Sequence, residues 1–312
     1  MRVVAPGKLL LTGAYCVLYG APAVVVAIDR YAVADSTREN SRCSNELRLA
    51  FAGAPAPHVD VSALHDQDGR KLGLGSSAAS LVAALGVRTV SAGGNLSDEE
   101  ARRDMFDAAR RIHAEAQGGG SGVDVAASVY GGVLRYRIDS GSKVHAHPLV
   151  WPRSLVLAAF DSGTSARTSD LLVRVAAHHA SNPVATVYEA LRNLACRADV
   201  AFGAGEVVAF IAAAREFGEA LEELGKAAGA PIVPARFASL AGLAAEEGAA
   251  FIPSGAGGGD MAVWLSRSLP SPEFTDRAAA MNMRSLPLSL DYGGVRTEVS
   301  ISPRALSHGA NL

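Results

Sequence analysis

At 312 residues the chain is long for a single hydrophobic core and suits two domains of roughly 150 residues each. Apolar residues make up 49% and charged residues 19%, a globular balance that excludes intrinsic disorder. A formal net charge of -2, with no dense Lys/Arg run, leaves no electrostatic footprint for nucleic acid or an anionic membrane, so a small-molecule substrate is expected.

The chain begins MRVVAPGKLLLTG, where Pro6, Gly7 and Lys8 interrupt the apolar stretch that a signal peptide requires. No later run reaches the ~18 apolar residues of a membrane span. Cys16, Cys43 and Cys196 are odd in number, far apart and without metal-type spacing, so no disulfide scaffold is expected. These features predict a cytoplasmic, reducing location. Ala23 to Ile28 is rich in β-branched residues and predicts a strand. From Asn40 to Gly69, Pro55, Pro57, His58 and scattered polar residues predict an irregular excursion outside the core.

Ser80 to Val90 has helical composition, and Ser97-Asp98-Glu99-Glu100 has the form of a capping box opening a helix that runs to Ala116. After a strand at Gly132 to Ile138, Pro148, Trp151 and Pro152 suggest a boundary near residue 150, giving domains 1–150 and 151–312. Leu155 to Phe160 predicts another strand. Ser169 to Gly248 predicts successive helices broken at Pro183, at Gly203 to Gly205 and between Gly229 and Pro234. Strands return at Met261 to Leu265, Leu286 to Leu290 and Val295 to Ile301, with fraying beyond. The fold class is α+β.

Three glycine-bearing segments carry the chemistry. Leu72-Gly73-Leu74-Gly75-Ser76-Ser77-Ala78-Ala79-Ser80 runs straight into an apolar helix. Glycine lets the backbone approach an anion, and a helix start offers unpaired N–H groups at the positive end of its dipole. The same residues would also serve as a plain loop and cap. Gln117-Gly118-Gly119-Gly120-Ser121-Gly122-Val123-Asp124 places a carboxylate at a helix start, suited to dipole stabilisation or to orienting a phosphoryl acceptor. Pro253-Ser254-Gly255-Ala256-Gly257-Gly258-Gly259-Asp260 has a glycine density that favours close approach to a ligand over a mere connector. The P-loop pattern and the protein-kinase H-R-D loop are absent, and Asp260 stands where a dinucleotide fingerprint needs its last glycine. The histidines, including His145, His147 and the adjacent His178-His179, form no metal pattern and are expected at the surface.

Taken in order, Pro6-Gly7-Lys8, Gly-Leu-Gly-Ser-Ser-Ala-Ala and Ser-Gly-Ala-Gly-Gly-Gly resemble the three motifs of the galactokinase, homoserine kinase, mevalonate kinase and phosphomevalonate kinase superfamily. They span residues 5 to 260. The resemblance implies a two-lobed fold, with a ribosomal-S5-like N-terminal domain, a ferredoxin-like C-terminal domain and the site between them. His113-Ala114-Glu115-Ala116-Gln117-Gly118 with Gly120-Ser121-Gly122-Val123-Asp124-Val125-Ala126-Ala127 is similar to the phosphomevalonate kinase form of the second segment. Lys71, Ser165-Ala166-Arg167-Thr168-Ser169 and Gly259-Asp260 lean the same way.

The resemblance implies ATP and Mg²⁺ as cofactors, with 5-phosphomevalonate as acceptor and 5-diphosphomevalonate as product. Asp124 would be the catalytic carboxylate and Lys8 the cation beside the transferred group. Gly73, Leu74, Gly75, Ser76, Ser77 and Ala78 would hold the nucleotide, with Ser77 on the metal. Lys71, Ser121, Gly122, Arg167, Gly257, Gly258 and Asp260 would face the acceptor, and Arg70 is a further candidate cation for its phosphate. A sister kinase acting on mevalonate, a diphosphomevalonate decarboxylase, a non-catalytic ATP-binding regulator and a homodimer all remain compatible with the sequence. One departure stands out: where these kinases commonly continue Gly-Glu, this chain has Gly13-Ala14.

Overall fold

The computed structural model describes residues 1–39, 43–52, 54–165, 168–182 and 185–298. The first lobe begins with β1 (Arg2–Thr12) and β2 (Ala23–Glu39), continues through α1 (Asn45–Phe51) and β3 (Pro57–Asp60), and then builds α2 (Ser76–Ser91), α3 (Glu99–Gln117) and α4 (Val123–Tyr130). β4 (Val133–Ile138) and β5 (Val144–Leu149) complete the run. The second lobe holds β6 (Val156–Asp161), α5 (Thr168–Ser181), α6 (Thr186–Ala204), α7 (Val207–Ala227), α8 (Ala235–Glu246), β7 (Ala250–Pro253), β8 (Met261–Ser266), α9 (Pro272–Ala280) and β9 (Arg284–Leu286). β10 (Arg296–Thr297) then returns to pair with β1.

Two antiparallel sheets result. The first is ordered β10-β1-β2-β4-β5, with β3 on the outer half of β2; the second is ordered β7-β8-β6-β9. α2 is apolar nearly all round, with Ala78, Ala79, Leu81, Val82, Ala83, Ala84 and Leu85 buried, so it packs on β1 and β2 on one side and on α3 and α4 on the other. The second lobe adds an aromatic cluster of Phe160, Phe237, Phe251, Trp264 and Phe274 between its sheet and α8 and α9. Among the described residues no helix is long and apolar enough to cross a membrane.

The register of β1 decides where its lysine points. Pro6 pairs with Tyr31 but Gly7 with Ile28, so Asp29 and Arg30 of β2 have no opposite residue there. Such a bulge bends the ladder and re-aims the following side chain. A Cβ on Gly7 would lie 2.7 Å from the Leu74 carbonyl oxygen, so only glycine lets the 72–75 loop close on β1, where the Lys8 N–H donates to that carbonyl at 2.9 Å.

Several expectations need correction. The stretch 40–69 is not merely an irregular excursion: α1 and β3 lie within it, β3 extends the sheet, and Leu47 and Leu64 are buried. Alternation of Leu47 and Ala50 with polar neighbours gives α1 an inner face that the prolines obscure. The capping box does not form, because Asp98 rather than Ser97 is the cap residue and makes no side-chain bond; the Ser97 N–H instead donates to Asn95 Oδ1. The strand expected at Leu286 to Leu290 ends at Leu286, with Leu290 bridging to Ile28; of the strand expected at Val295 to Ile301, Arg296–Thr297 is formed and 299–301 lie outside the described residues. The expected fraying after Ile301 lies outside the described residues. His145 and His147 sit on β5, while His179 stacks on Tyr19 at 3.9 Å and His178 Nδ1 lies 2.8 Å from the Tyr188 hydroxyl, so these two are packed rather than loose at the surface.

The last segment pins the helix that carries Asp124. The Val295 N–H donates to Val129 O, and the Gly132 N–H to Asp291 O, while Asp291 Oδ1 accepts from Gly293 and Gly294. Gly294 has φ +63°, and a Cβ there would lie 2.4 Å from Val129 O. Gly294→Ala should therefore cost at least about 1–3 kcal/mol and lower the melting temperature by several degrees. Gly242→Ala, in α8 with nothing within 4 Å of the added carbon, should leave stability unchanged or raise it by up to about 1 kcal/mol. Paired thermal melts check both.

Candidate active site

The two lobes meet over a cleft of about 850 Å³. The Tyr15 hydroxyl donates to Ala256 O at 2.5 Å and the Leu10 N–H to Ser254 Oγ at 2.9 Å, tying β1 and the turn after it to the end of β7. On the other side Arg70 bonds Asp161 Oδ2 at 2.7 Å and the Thr164 carbonyl at 3.1 Å. These contacts set the width of the cleft.

α2 opens into the cleft. Its cap residue is Gly75 at φ 81°, with no side chain capping the first turn, so the N–H groups there are available to an anion. Ser76 and Ser77 both line the cleft, and Lys71 Nζ reaches Ser77 Oγ at 3.4 Å. Gly73 and Gly75 line it too, whereas Leu74 and Ala78 are fully buried and serve through their backbone. A Cβ on Gly75 would press on Lys8 Cγ at 3.1 Å, and one on Gly73 would fall 2.5 Å from Asp260 Cβ. The glycines are thus required by the close approach of Lys8 and Asp260 to the loop.

Lys8 projects from β1 at the centre, its ammonium donating to Gly73 O at 3.3 Å. Burial pushes its pKa below the ordinary 10.5, against the opposing pull of Asp124 and Asp260. Asp124 sits in the first turn of α4, where its Oδ1 accepts from the Val125 N–H at 3.0 Å. Next to this pair lies a smaller chamber of about 140 Å³, walled by Leu10, Ala14, Val17, Leu18, Val123 and Leu172 and bordered by the 119–122 loop. Ser121 and Gly122 border this chamber, and a Cβ on Gly122 would strike Arg110 Cγ at 2.6 Å.

Other expected site residues lie elsewhere. Gly257 and Gly258 do not line the cleft: the Gly258 N–H donates to Ile232 O, and a Cβ on Gly257 would lie 2.1 Å from that oxygen, so their small size serves the packing of the 229–234 loop. Ser254, Gly255, Ala256 and Asp260 are the members of that segment that face the cleft. Arg70 lines no part of it, being held by Asp66 and Asp161. Arg167 lies outside the described residues. Sequence reasoning gave no role to Glu46, His113 or Gln117, all of which line the cleft. His113 and Gln117 are one helical turn apart and share a face of α3, a signal that was present; Glu46 had none.

Known proteins share this fold. Residues 47–132 match the profile described as GHMP kinases N terminal domain. The chain has the two-domain fold of the GHMP kinases and carries their N-terminal domain. Among individual proteins it is similar to a phosphomevalonate kinase of Streptomyces sp., 28% identical over 93% of this chain and 97% of that protein. It is also similar to a mevalonate kinase of Archaeoglobus fulgidus, 34% identical over 41% of this chain and 50% of that one. The structure of Streptococcus pneumoniae phosphomevalonate kinase in complex with phosphomevalonate and AMPPNP superposes with a TM-score of 0.77, covering 93% of this chain and 99% of that one at 18% identity.

The buried ammonium has a measurable signature. Because the folded state lowers the pKa of Lys8, the unfolded chain holds that proton more tightly between the folded value and 10.5, and stability rises with pH across that window. Lys8→Met removes the cost of burying the charge, so the variant should melt higher than the parent at pH 7. That advantage should shrink as the pH approaches 10.5. Melting curves of both proteins at pH 7, 8.5 and 9.5 test the sign.

Proposed function

We propose that the chain is an ATP-dependent kinase that transfers the γ-phosphoryl group to 5-phosphomevalonate, giving ADP and 5-diphosphomevalonate. The carrying observation is that Lys8 and Asp124 converge beside the uncapped start of α2, at the junction of the wide cleft and the small chamber. Phosphoryl transfer demands little covalent chemistry of a protein; it demands alignment and neutralisation of charge. The α2 start and Ser76 suit the nucleotide phosphates, and the chamber beside Asp124 suits a short branched carbon chain. The similarity to a phosphomevalonate kinase over nearly the whole chain favours the phosphorylated acceptor over mevalonate.

In this reading an acceptor phosphate oxygen attacks the γ-phosphorus while the bond to the ADP oxygen breaks. Lys8 offsets charge on the transferring group. Asp124 orients the acceptor and takes a proton from it when the acceptor arrives protonated. The donor set also fits Mg²⁺, a hard cation that keeps waters and substrate phosphates as ligands and needs few protein groups. Ser77 Oγ would be one ligand, and among the described residues no cluster of three or more His, Cys, Asp or Glu could cage a metal without the nucleotide's phosphates. Lys71, beside Ser77, belongs in this reading to the nucleotide rather than to the acceptor.

A coupled ADP-release assay over 5-phosphomevalonate, mevalonate, homoserine and galactose should show the highest kcat/KM for 5-phosphomevalonate. Faster turnover of mevalonate would reject the acceptor assignment while leaving the kinase reading intact. Asp124→Asn should lower kcat by at least about a hundredfold with the ATP KM little altered. Near-normal kcat with a lowered melting temperature would instead make Asp124 a helix-start carboxylate. Ser77→Ala should raise the Mg²⁺ requirement and the ATP KM; unchanged values would make the serine structural.

A further inference from the structure

Behind Asp124 runs a short string of polar side chains that the proposed chemistry does not use. Glu46, on α1, is buried, and its Oε1 accepts from Gln117 Nε2 at 3.1 Å. The same Gln117 nitrogen lies 3.2 Å from His113 Nε2, and His113 Nε2 lies 3.7 Å from Asp124 Oδ2. His113 is 7% exposed and Asp124 23%, so both border the cleft and the carboxylate is the more open of the two to it.

The bonding directions follow from what each group can do. A carboxylate only accepts, so the Gln117 amide must turn its NH₂ to Glu46. Burial alone would weaken the acidity of Glu46. Its bonds from its own backbone N–H, from Gln117 and from Ser44 outweigh that effect and hold its pKa below the ordinary value, so it is ionised at neutral pH. With the amide so oriented, the hydrogen left on Gln117 Nε2 points to His113 Nε2, which has to accept it. The ring proton is then on Nδ1. A bare ring nitrogen cannot donate to Asp124, and the 3.7 Å separation is that of two acceptors in contact rather than of a hydrogen bond.

We infer that Glu46 and Gln117 are positioning residues that fix His113 as a hydrogen-bond acceptor, so that Asp124 Oδ2 stays uncommitted toward the cleft. If the amide turned round, its carbonyl would face the ring, Nε2 would carry the proton, and that N–H would bond the Asp124 carboxylate and draw it from the acceptor. The inference rests on the reading of Asp124 as the group that orients the acceptor.

The test combines spectroscopy with a mutant cycle on the full-length protein. Long-range ¹H–¹⁵N spectra of the histidine rings, with His113 assigned by its loss in His113→Leu, should show the Nδ1–H tautomer in the parent and a shift toward Nε2–H in Glu46→Gln. Glu46→Gln should lower kcat roughly tenfold with the ATP KM unchanged, a part of the ~10²–10⁴ that a positioned base supplies. Placed in a His113→Leu background, Glu46→Gln should have no further effect, because Glu46 acts only through the ring. Gln117→Met repeats the cycle should Glu46→Gln melt much lower than the parent. An Nε2–H tautomer in the parent overturns the inference, as does a kcat loss from Glu46→Gln that is as large without His113 as with it. Near-parental kcat in Asp124→Asn would remove the catalytic reading yet leave the tautomer measurement to stand on its own.

Discussion

The structure depends on burying one ammonium group where three backbone segments converge. Lys8 lies against Gly73 and Gly75 of the α2 entrance, with Gly255 near its Nζ and with Asp124 and Asp260 as countercharges. Taking a lysine out of water is costly even with carboxylates nearby, and the lowered pKa records that the cost is not fully offset. A charge held in this way suits the entry of a strongly anionic group, and in the proposed reaction the phosphates would supply what the folded protein lacks. The glycines are the steric counterpart of the same demand: side chains at 73 or 75 would collide with Asp260 or Lys8.

Holding that point fixed requires both lobes, which share one continuous apolar cluster and are tied by polar contacts as well. Tyr15 has φ +62°, a conformation unusual for an aromatic residue, and its hydroxyl crosses to Ala256 O. Backbone strain of this kind costs about 1–3 kcal/mol and persists only where the surroundings enforce it. Here enforcement comes from the bond to the second lobe. On the opposite rim Arg70 does similar work, its guanidinium bonded to Asp66, Asp161 and Thr164. An arginine that reads in the sequence as a ligand for substrate phosphate is thus a strut between lobes.

Much of this was legible in the sequence, for identifiable reasons. The Gly-rich entrance to α2, the position of Asp124 at a helix start and the succession of helices after residue 169 follow from local rules of glycine, capping and composition. Gly257 and Gly258 misled because glycine marks close approach without saying to what, and the partner here is the Ile232 carbonyl. α1 escaped notice because it is seven residues long and flanked by polar residues and prolines, so its periodicity has little room to show. Glu46 could not be found at all from its neighbours in sequence, since its meaning arises only when α1 packs on α3. Long-range pairing of that kind is invisible to any local pattern.

Ala14 joins these observations. It is buried in the wall of the small chamber that Asp124 also borders, next to the strained Tyr15. A glutamate at this position would add a second carboxylate to the wall of a space of about 140 Å³ that Asp124 already borders, and carboxylates sharing a small chamber disfavour each other's charge. With alanine, Leu10, Val17, Leu18, Val123 and Leu172 give the chamber a mostly apolar lining, and Asp124 is the carboxylate among the residues that border it. The small residue therefore does two things at once: it leaves volume for a carbon skeleton, and it leaves Asp124 without a like-charged neighbour in the chamber. In the proposed reaction both effects act on the group that meets the acceptor, which makes the side chain at position 14 part of that site by what it leaves out.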